Sequence, residues 1–509
     1  MTASGPSSSA SNMLEVRCMD LDTRDRPVVV MRSDCPVCRA EGFTSHARIQ
    51  VESEHDSIIA TLYHTGAGLL ADSEIGLSNA AWQALQVRDG DRVHVRHPKP
   101  LKSIGRVRAK VHGRPLDGPA LDLIMHDIVR GRYDDIELSM FLTAIAARSL
   151  DDDELVALTG AMVEVGERLA WDEPVRMDKH CIGGLPGNRT TPIVVAIVAA
   201  NGLIIPKTSS RAITSPAGTA DTMETLAPVN LDLGRMRRVV GAEGGCVVWG
   251  GAVGLSPVDD MLIRVARVMD LDAEAQLVAS VLSKKIAAGA SHLVLDLPIG
   301  ETAKVRSHRD GERLAERLRK IAAAFGIEAR TVLTDGSQPV GRGIGPALEA
   351  HDVLAVLDDA PGQAPDLRER AVILAGELLE LGRAAAPGQG RERAAATLDS
   401  GAARRKFEAI CEAQGGRRKP PLAGATRPIL AAARGRVVEF DNRRLARVAK
   451  LAGAPASPAS GVRLHVHLGD RVEPGQPIYT IHAETGGELN YADEYAGANG
   501  DIVRIGEAE

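Results

Sequence analysis

The chain has 509 residues, 44% hydrophobic and 25% charged, with a formal net charge of −6. That is enough apolar material for sizeable cores in several domains, while the slightly acidic balance leaves no broad basic face for nucleic acid, so anion binding has to come from local clusters. The longest apolar run, 192–206, is broken by Asn201 and Gly202 and is too short to span a bilayer; it reads as a core helix entering a strand.

In chain order, residues 1–12 are small and polar, without a charged and apolar leader, and read as a disordered tail on a cytoplasmic protein. Residues 13–97 carry short β-like runs at 28–31, 57–63 and 92–95, with a turn signal at Arg88-Asp89-Gly90-Asp91, and suggest a small barrel. Within it, Cys35-Pro36-Val37-Cys38 has the spacing of half a zinc site or a redox pair. No second CxxC or nearby His pair completes four ligands, so ordinary thiols in a reducing compartment are expected, with no metal and no disulfide framework among the six cysteines. Residues 98–177 read as a helical domain: Leu121, Leu123, Ile124 and Ile128, then Ile136, Leu138, Phe141, Leu142 and Ile145, recur at helical spacing, and 131–137 joins two helices. Residues 178–385 alternate β-branched strands, such as 246–249 and 291–297, with Ala-rich helices, the pattern of an α/β sheet. Part of 270–290 is expected to pack on the helical domain. A Pro/Gly/Arg-rich linker with a helix, 386–425, leads to a β-rich α+β domain over 426–509. The fold expected is thus multidomain α/β, flanked by an N-terminal small β-barrel and a C-terminal β-rich domain.

Chemistry concentrates in two stretches. In Asp178-Lys179-His180-Cys181-Ile182-Gly183-Gly184-Leu185-Pro186-Gly187-Asn188-Arg189-Thr190-Thr191, a glycine-rich turn separates a Lys-His pair from the start of an apolar helix. Glycines there can take positive φ and let backbone N–H groups converge on an anion, with the helix N-terminus behind them. A turn that serves packing alone would look similar. The second stretch, Pro206-Lys207-Thr208-Ser209-Ser210-Arg211-Ala212-Ile213-Thr214-Ser215-Pro216-Ala217-Gly218-Thr219-Ala220-Asp221, sets hydroxyls beside two cations, suited to a phosphate or to sugar hydroxyls.

Asp-Lys-His-x-x-Gly-Gly, Pro-Lys-x-Ser-x-Arg and Gly-Thr-x-Asp together resemble the thymidine and pyrimidine-nucleoside phosphorylases. The wording Gly-Gly-Leu-Pro-Gly-Asn-Arg-Thr-Thr, then Lys-Thr-Ser-Ser-Arg-Ala-Ile-Thr-Ser, is similar to the AMP (nucleoside monophosphate) phosphorylase branch and its bacterial relatives. The similarity spans nearly the whole chain and is specific around 178–305. It implies that Lys179, Ser209 and Thr219 hold the attacking inorganic phosphate. It also implies that Gly184, Ser210, Arg211, Ala212, Ile213, Thr214, Ser215, Thr219 and Lys304 bind the nucleotide, and that Ser280 and Lys284 contact the base. By the same resemblance Asp272 is the proton donor to the leaving base; read alone, it would be a helix N-cap. His180 reads equally as a neutral, backbone-satisfied histidine or an acid/base. Cys181 stands where relatives usually have Ser, and a thiol is the weaker hydrogen-bond donor.

Two departures from the thymidine pattern favour the nucleotide branch. The position fifteen residues before Ser280, a base-binding Arg in thymidine phosphorylases, is Val265, flanked by Arg264 and Arg267. The segment Leu297-Pro298-Ile299-Gly300-Glu301-Thr302-Ala303-Lys304 replaces a Lys-Val-Gly-Ser-Gly type of loop. A nucleotide needs two anion pockets, and Lys179, Arg189, Lys207, Arg211 and Lys304 could supply them. Near the end, Leu468-Gly469-Asp470-Arg471-Val472-Glu473-Pro474-Gly475-Gln476-Pro477 resembles the turn of lipoyl and biotinyl carriers, but no lysine follows Lys450, so a structural cap is expected. The resemblance therefore implies an enzyme that cleaves a nucleoside 5′-monophosphate such as AMP with phosphate, without cofactor or metal, as a homodimer or larger homo-oligomer. Thymidine phosphorolysis is the alternative, and a phosphoribosyltransferase or a non-catalytic carrier fits less well.

Overall fold

A computed structural model describes residues 12–24, 26–212, 215–271 and 273–506. The tail expected over 1–12 lies outside the described residues except for Asn12, which is buried and donates from Nδ2 to Glu41 Oε1 at 2.6 Å. The chain divides into two compact units, 1–148 and 149–509.

In the first unit, strands Met13–Cys18, Val28–Arg32, Arg48–Glu52, Ser57–Thr65, Glu74–Leu77 and Arg92–Arg96 close into a barrel of mixed parallel and antiparallel pairs. Alternation along each strand turns Val29, Met31, Ile49, Val51, Ala60 and Leu62 into one core. Cys35 and Cys38 are free thiols inside that core. Helices Lys102–Val111, Gly118–Val129 and Asp135–Ala147 follow. The last starts at a capping box in which Asp134 and Glu137 satisfy each other's backbone N–H groups, which explains why the helical pattern restarts there.

The second unit begins with α1 (Asp152–Glu164) and builds a parallel sheet from β1 (Met177–Cys181), β2 (Ile205–Ser209), β3 (Gly245–Trp249), β4 (His292–Ile299) and β5 (Glu328–Asp335). β5, β4 and β1 pair in that order, β2 pairs with β3, and a parallel bridge between Arg176 and Ile204 joins the two sets. The chain therefore runs from β1 outward through β2 and β3, then returns to the other side of β1 for β4 and β5. Loops after β1 and β4 diverge at this reversal, the place where open α/β sheets bind ligands. Between β1 and β2 lies α2 (Thr191–Ala200), buried from Thr191 to Ala199, as a helix apolar on every side must be. Two further helices, α3 (Pro257–Val268) and α4 (Glu274–Ala287), precede β4, and α4 packs against α1.

Residues 390–414 carry the helical part of the interval expected there, as two helices rather than one. They form helices Gly390–Asp399 and Ala402–Gln414, whose Ala394, Leu398, Ala403, Phe407 and Ile410 share a core with α2. The small Ala residues that make this face are obscured in the sequence by the surrounding Arg and Gly. Gln414 completes the sheet edge, accepting from Val247 N at 2.8 Å and donating to Val247 O and Pro228 O.

Strands from Ala425–Leu430 to Val503–Gly506 and helices Asn442–Leu451 and Gly486–Ala498 make the C-terminal portion, with its own core. It is tied to the α/β part through strand Gly343–Ile344, which pairs with Gly461–Leu464. Among the described residues no helix is long and apolar enough to cross a membrane. Because α2 is packed on all sides, Ile197→Ala is expected to leave a cavity and lower unfolding free energy by about 2–5 kcal/mol, measurable by urea titration.

Candidate active site

A cavity of about 390 Å³ opens at the C-terminal ends of the parallel strands, within the range of small-molecule sites. Its walls are the loops after β1, β2 and β3, the cavity-facing sides of α3 and α4, and Lys304 beyond β4.

The loop after β1 turns on Gly184 (φ +82°) and Gly187 (φ +68°). A side chain at Gly184 would lie 2.6 Å from the Lys304 backbone nitrogen, and one at Gly187 would lie 2.2 Å from Val340 O. Both positions therefore need glycine for space as well as for backbone conformation. Lys179 is buried at the cavity floor with Nζ on Thr190 Oγ1 at 2.7 Å, and burial holds its pKa below the usual lysine range. His180 lines the cavity too. Burial, with the ammoniums of Lys285, Lys207, Lys284 and Lys179 added, holds it well below the ordinary histidine value, so it is a neutral imidazole. Burial pushes the Cys181 thiol up to about 12, and Cys181 Sγ accepts from Asn188 Nδ2 at 3.3 Å. It is a protonated thiol, not a nucleophile.

Ser209, Ser210, Arg211, Ser215 and Thr219 line the cavity from the loop after β2. Asp221 shapes this loop by accepting from Ala212 N at 2.6 Å and Gly218 N at 2.9 Å. Ala212 thus spends its N–H on Asp221 and is not part of the cavity wall. Arg211 meets Asp221 and Glu224 at 3.2 and 2.5 Å and stacks over Trp249. Arg189 pairs with Glu349 at 2.7 Å and donates to Thr219 Oγ1 and Ala217 O, fastening the two anion-suited loops together. The cation surplus expected from sequence is therefore smaller in space. Arg189 and Arg211 are matched by carboxylates, whereas Lys304 is exposed and has no ion-pair partner among the described residues.

One turn apart on α4, Ser280 Oγ donates to Asp259 Oδ2 at 2.9 Å and Lys284 Nζ meets the same oxygen at 2.5 Å. Burial alone would lower Lys284, but Asp259 outweighs it and keeps the ammonium charged. The carboxylate fixes both side chains on the face that lines the cavity. Beside it Asp260 also lines the cavity, and burial raises its carboxyl. Sequence reasoning missed Asp259, Asp260 and Lys285: a Pro-Val-Asp-Asp helix start reads as capping, and Lys285 follows a lysine already assigned. Val265 does not stand where its count from Ser280 suggests. It is buried away from the cavity, and α3 presents Pro257, Asp260 and Ile263 to it instead. Counting residues along a chain does not preserve a helix face. Asp272, Ile213 and Thr214 lie outside the described residues.

Under these loops, Asp178 Oδ1 meets Lys207 Nζ at 3.0 Å and Oδ2 meets Lys285 Nζ at 2.9 Å, joining β1, β2 and α4. Burial would raise the Asp178 carboxyl, but the two lysines hold it below the ordinary carboxylate value.

The chain matches the helical bundle domain of the glycosyl transferase family over residues 107–166 and the a/b domain of that family over 173–404. The pyrimidine nucleoside phosphorylase C-terminal domain matches 436–501. Among curated proteins, one from Chelativorans sp. (strain BNC1) named "Putative thymidine phosphorylase" is 57% identical, covering 97% of each chain. One of the same name from Sphingopyxis alaskensis is 58% identical over 95% of this chain and 94% of its own. Anthranilate phosphoribosyltransferase from Thermus thermophilus shares the fold, with a TM-score of 0.50 and 19% identity over 61% of this chain and 99% of that one. The chain belongs to the thymidine and pyrimidine nucleoside phosphorylase family and is a pentosyltransferase, with phosphate and a nucleoside compound as its substrates.

Removing the charge of Asp178 leaves two buried lysines without their carboxylate. Asp178→Asn is expected to lower stability by about 3–5 kcal/mol, checked by chemical denaturation. A loss below about 1 kcal/mol would show that the lysines find other partners.

Proposed function

We propose that this phosphorylase cleaves the N-glycosidic bond of a nucleoside 5′-monophosphate, releasing the free base and ribose 1,5-bisphosphate. The observation that carries the reading is Lys304, a cation without an ion pair among the described residues, at the Gly184 turn of a cavity whose floor holds Lys179. One suits the attacking phosphate, with Ser209 and Thr219. The other suits the 5′-phosphate that a nucleotide brings and a nucleoside lacks.

In this reaction a phosphate oxygen bonds to C1′ as the C1′–N bond breaks and its electron pair passes to the base. Lys179, Ser209 and Thr219 hold the anionic nucleophile, and Ser280 and Lys284, steadied by Asp259, face the base. Asp272 is assigned the proton that the departing nitrogen takes. Most of the acceleration then comes from positioning and from charges fixed before the reaction starts. Thymidine phosphorolysis is the second reading, favoured by the name borne by the relatives. We further assign the enzyme to the cytoplasm as a homodimer or higher homo-oligomer. Light scattering should give a mass of two or more chains, and a single-chain mass would refute that.

Base release from AMP, CMP, GMP, UMP and thymidine, each with and without phosphate, tests the reading. A nucleotide should lead in kcat/KM, and all release should stop without phosphate; release by water alone would mean a hydrolase. Lys304→Ala should weaken use of the best nucleotide by about 10- to 100-fold, the worth of a charge-assisted contact, and leave thymidine kinetics unchanged. Equal losses on both would remove Lys304 from 5′-phosphate recognition.

Asp272→Asn should cut kcat by roughly 10² to 10⁴ with little change in KM, because the amide keeps the shape but has no proton to give. Normal turnover would remove Asp272 from the mechanism.

A further inference from the structure

Below the cavity floor sits a charge imbalance that the proposed reaction does not use. Asp178 is 1% exposed, Lys285 3% and Lys207 4%, and both lysines reach the cavity. Two ammoniums thus share one carboxylate among almost fully buried side chains. The groups around Lys285 offer no second counter-charge among the described residues. On β1 stand Asp178, Lys179, whose Nζ bonds neutral Thr190, and the neutral His180. On β2 stands Lys207. The Cys246 thiol on β3 is pushed up by burial and stays protonated. On α3, Asp259 is occupied by Lys284 and Ser280, and the carboxyl of Asp260 is raised by burial. At the far end of α4, Glu274 pairs with Arg313 and Arg317 from helix His308–Ala324. On α1, Glu154 closes its own capping box with Asp151.

A buried surplus of positive charge is relieved either by losing a proton or by gaining an anion. We propose that seating a tetrahedral dianion in this cavity is coupled to uptake of one proton by Lys285, which in the empty site gives up its proton as pH rises and in the loaded one keeps it. The amine lone pair takes a proton from solvent, and the anion supplies the negative charge that Asp178 alone cannot. The idea rests on the reading of the cavity as a phosphate site. It agrees with the direction of the lysine's equilibrium: burial first, then the Lys207 ammonium, push Lys285 down to about 7. Below that value the lysine is already charged and binding takes up little; above it binding must import the proton, so affinity falls as pH rises.

Calorimetric titration of the full chain with sodium sulfate and with inorganic phosphate, near pH 8 in buffers of different ionisation enthalpy, reads the coupling directly. Sulfate carries no proton of its own in this range, so buffer-dependent heat reports uptake by the protein. The expected result is uptake of about half to one proton per site, with sulfate affinity falling about tenfold per pH unit between pH 8 and 9 and level below about pH 6. Lys285→Met should bind with heat independent of buffer. Binding by the native enzyme with buffer-independent heat overturns the coupling and leaves the phosphate site standing. Unchanged proton uptake in Lys285→Met overturns the assignment to that residue. No binding of either anion overturns the phosphate reading itself. Should the variant not fold, the native profile decides, because an affinity constant from pH 7 to 9 overturns the proposal.

Discussion

The buried carboxylate of Asp178, shared by Lys207 and Lys285, is the interaction on which the rest of the site depends. Its three residues come from β1, β2 and α4, and each of those elements carries a different part of the cavity. β1 runs into the glycine turn, β2 into the hydroxyl-rich loop, and α4 holds Ser280 and Lys284. A desolvated ion cluster is costly to assemble and adds little net stability over an apolar replacement. What it does impose is alignment, because a shift of any one element would leave a charge without its partner.

Carboxylates govern the remaining cations in the same way. Glu349 takes Arg189, Asp221 and Glu224 take Arg211, and Asp259 takes Lys284. These pairs convert mobile side chains into fixed struts between loops. Among the described residues, the cavity's positive charge not matched by a carboxylate is thereby confined to a few places: Lys179 at the floor, Lys304 at the glycine turn, and the two lysines that share Asp178. For a reaction in which phosphate is the attacking anion, such confinement is worth more than a large total of positive residues, since it decides where the anion rests.

The glycine turn, the apolar helix behind it and the hydroxyl loop were legible in the sequence, because each is a local pattern whose physics involves neighbours along the chain. The parallel sheet was legible too, from alternating β-branched and Ala-rich segments. The partners were not. Asp259 reads as a helix start until α4 is folded beside it, and Lys285 reads as the duplicate of Lys284 until Asp178 is placed beneath it. That Val265 is buried off the cavity wall was not legible either, because distance along the chain says nothing of which side of α3 faces the cavity. A helix within 390–414 was legible, but not that there are two of them nor that they pack on α2, since polar residues on their outer surface hide the apolar face.

The C-terminal portion braces a loop beside the cavity without lining it. Asn442 donates from Nδ2 to Thr302 Oγ1 at 3.0 Å and to Gly336 O at 3.1 Å, and Thr302 donates in turn to Phe440 O. Thr302 sits two residues before Lys304, on the short loop beyond β4. A change in the last domain can therefore be felt at Lys304 through Thr302, while Lys179, anchored in the sheet, keeps its setting. Two lysines of one cavity wall are thus held by different parts of the chain, one within the sheet and the other on a loop that the last domain braces.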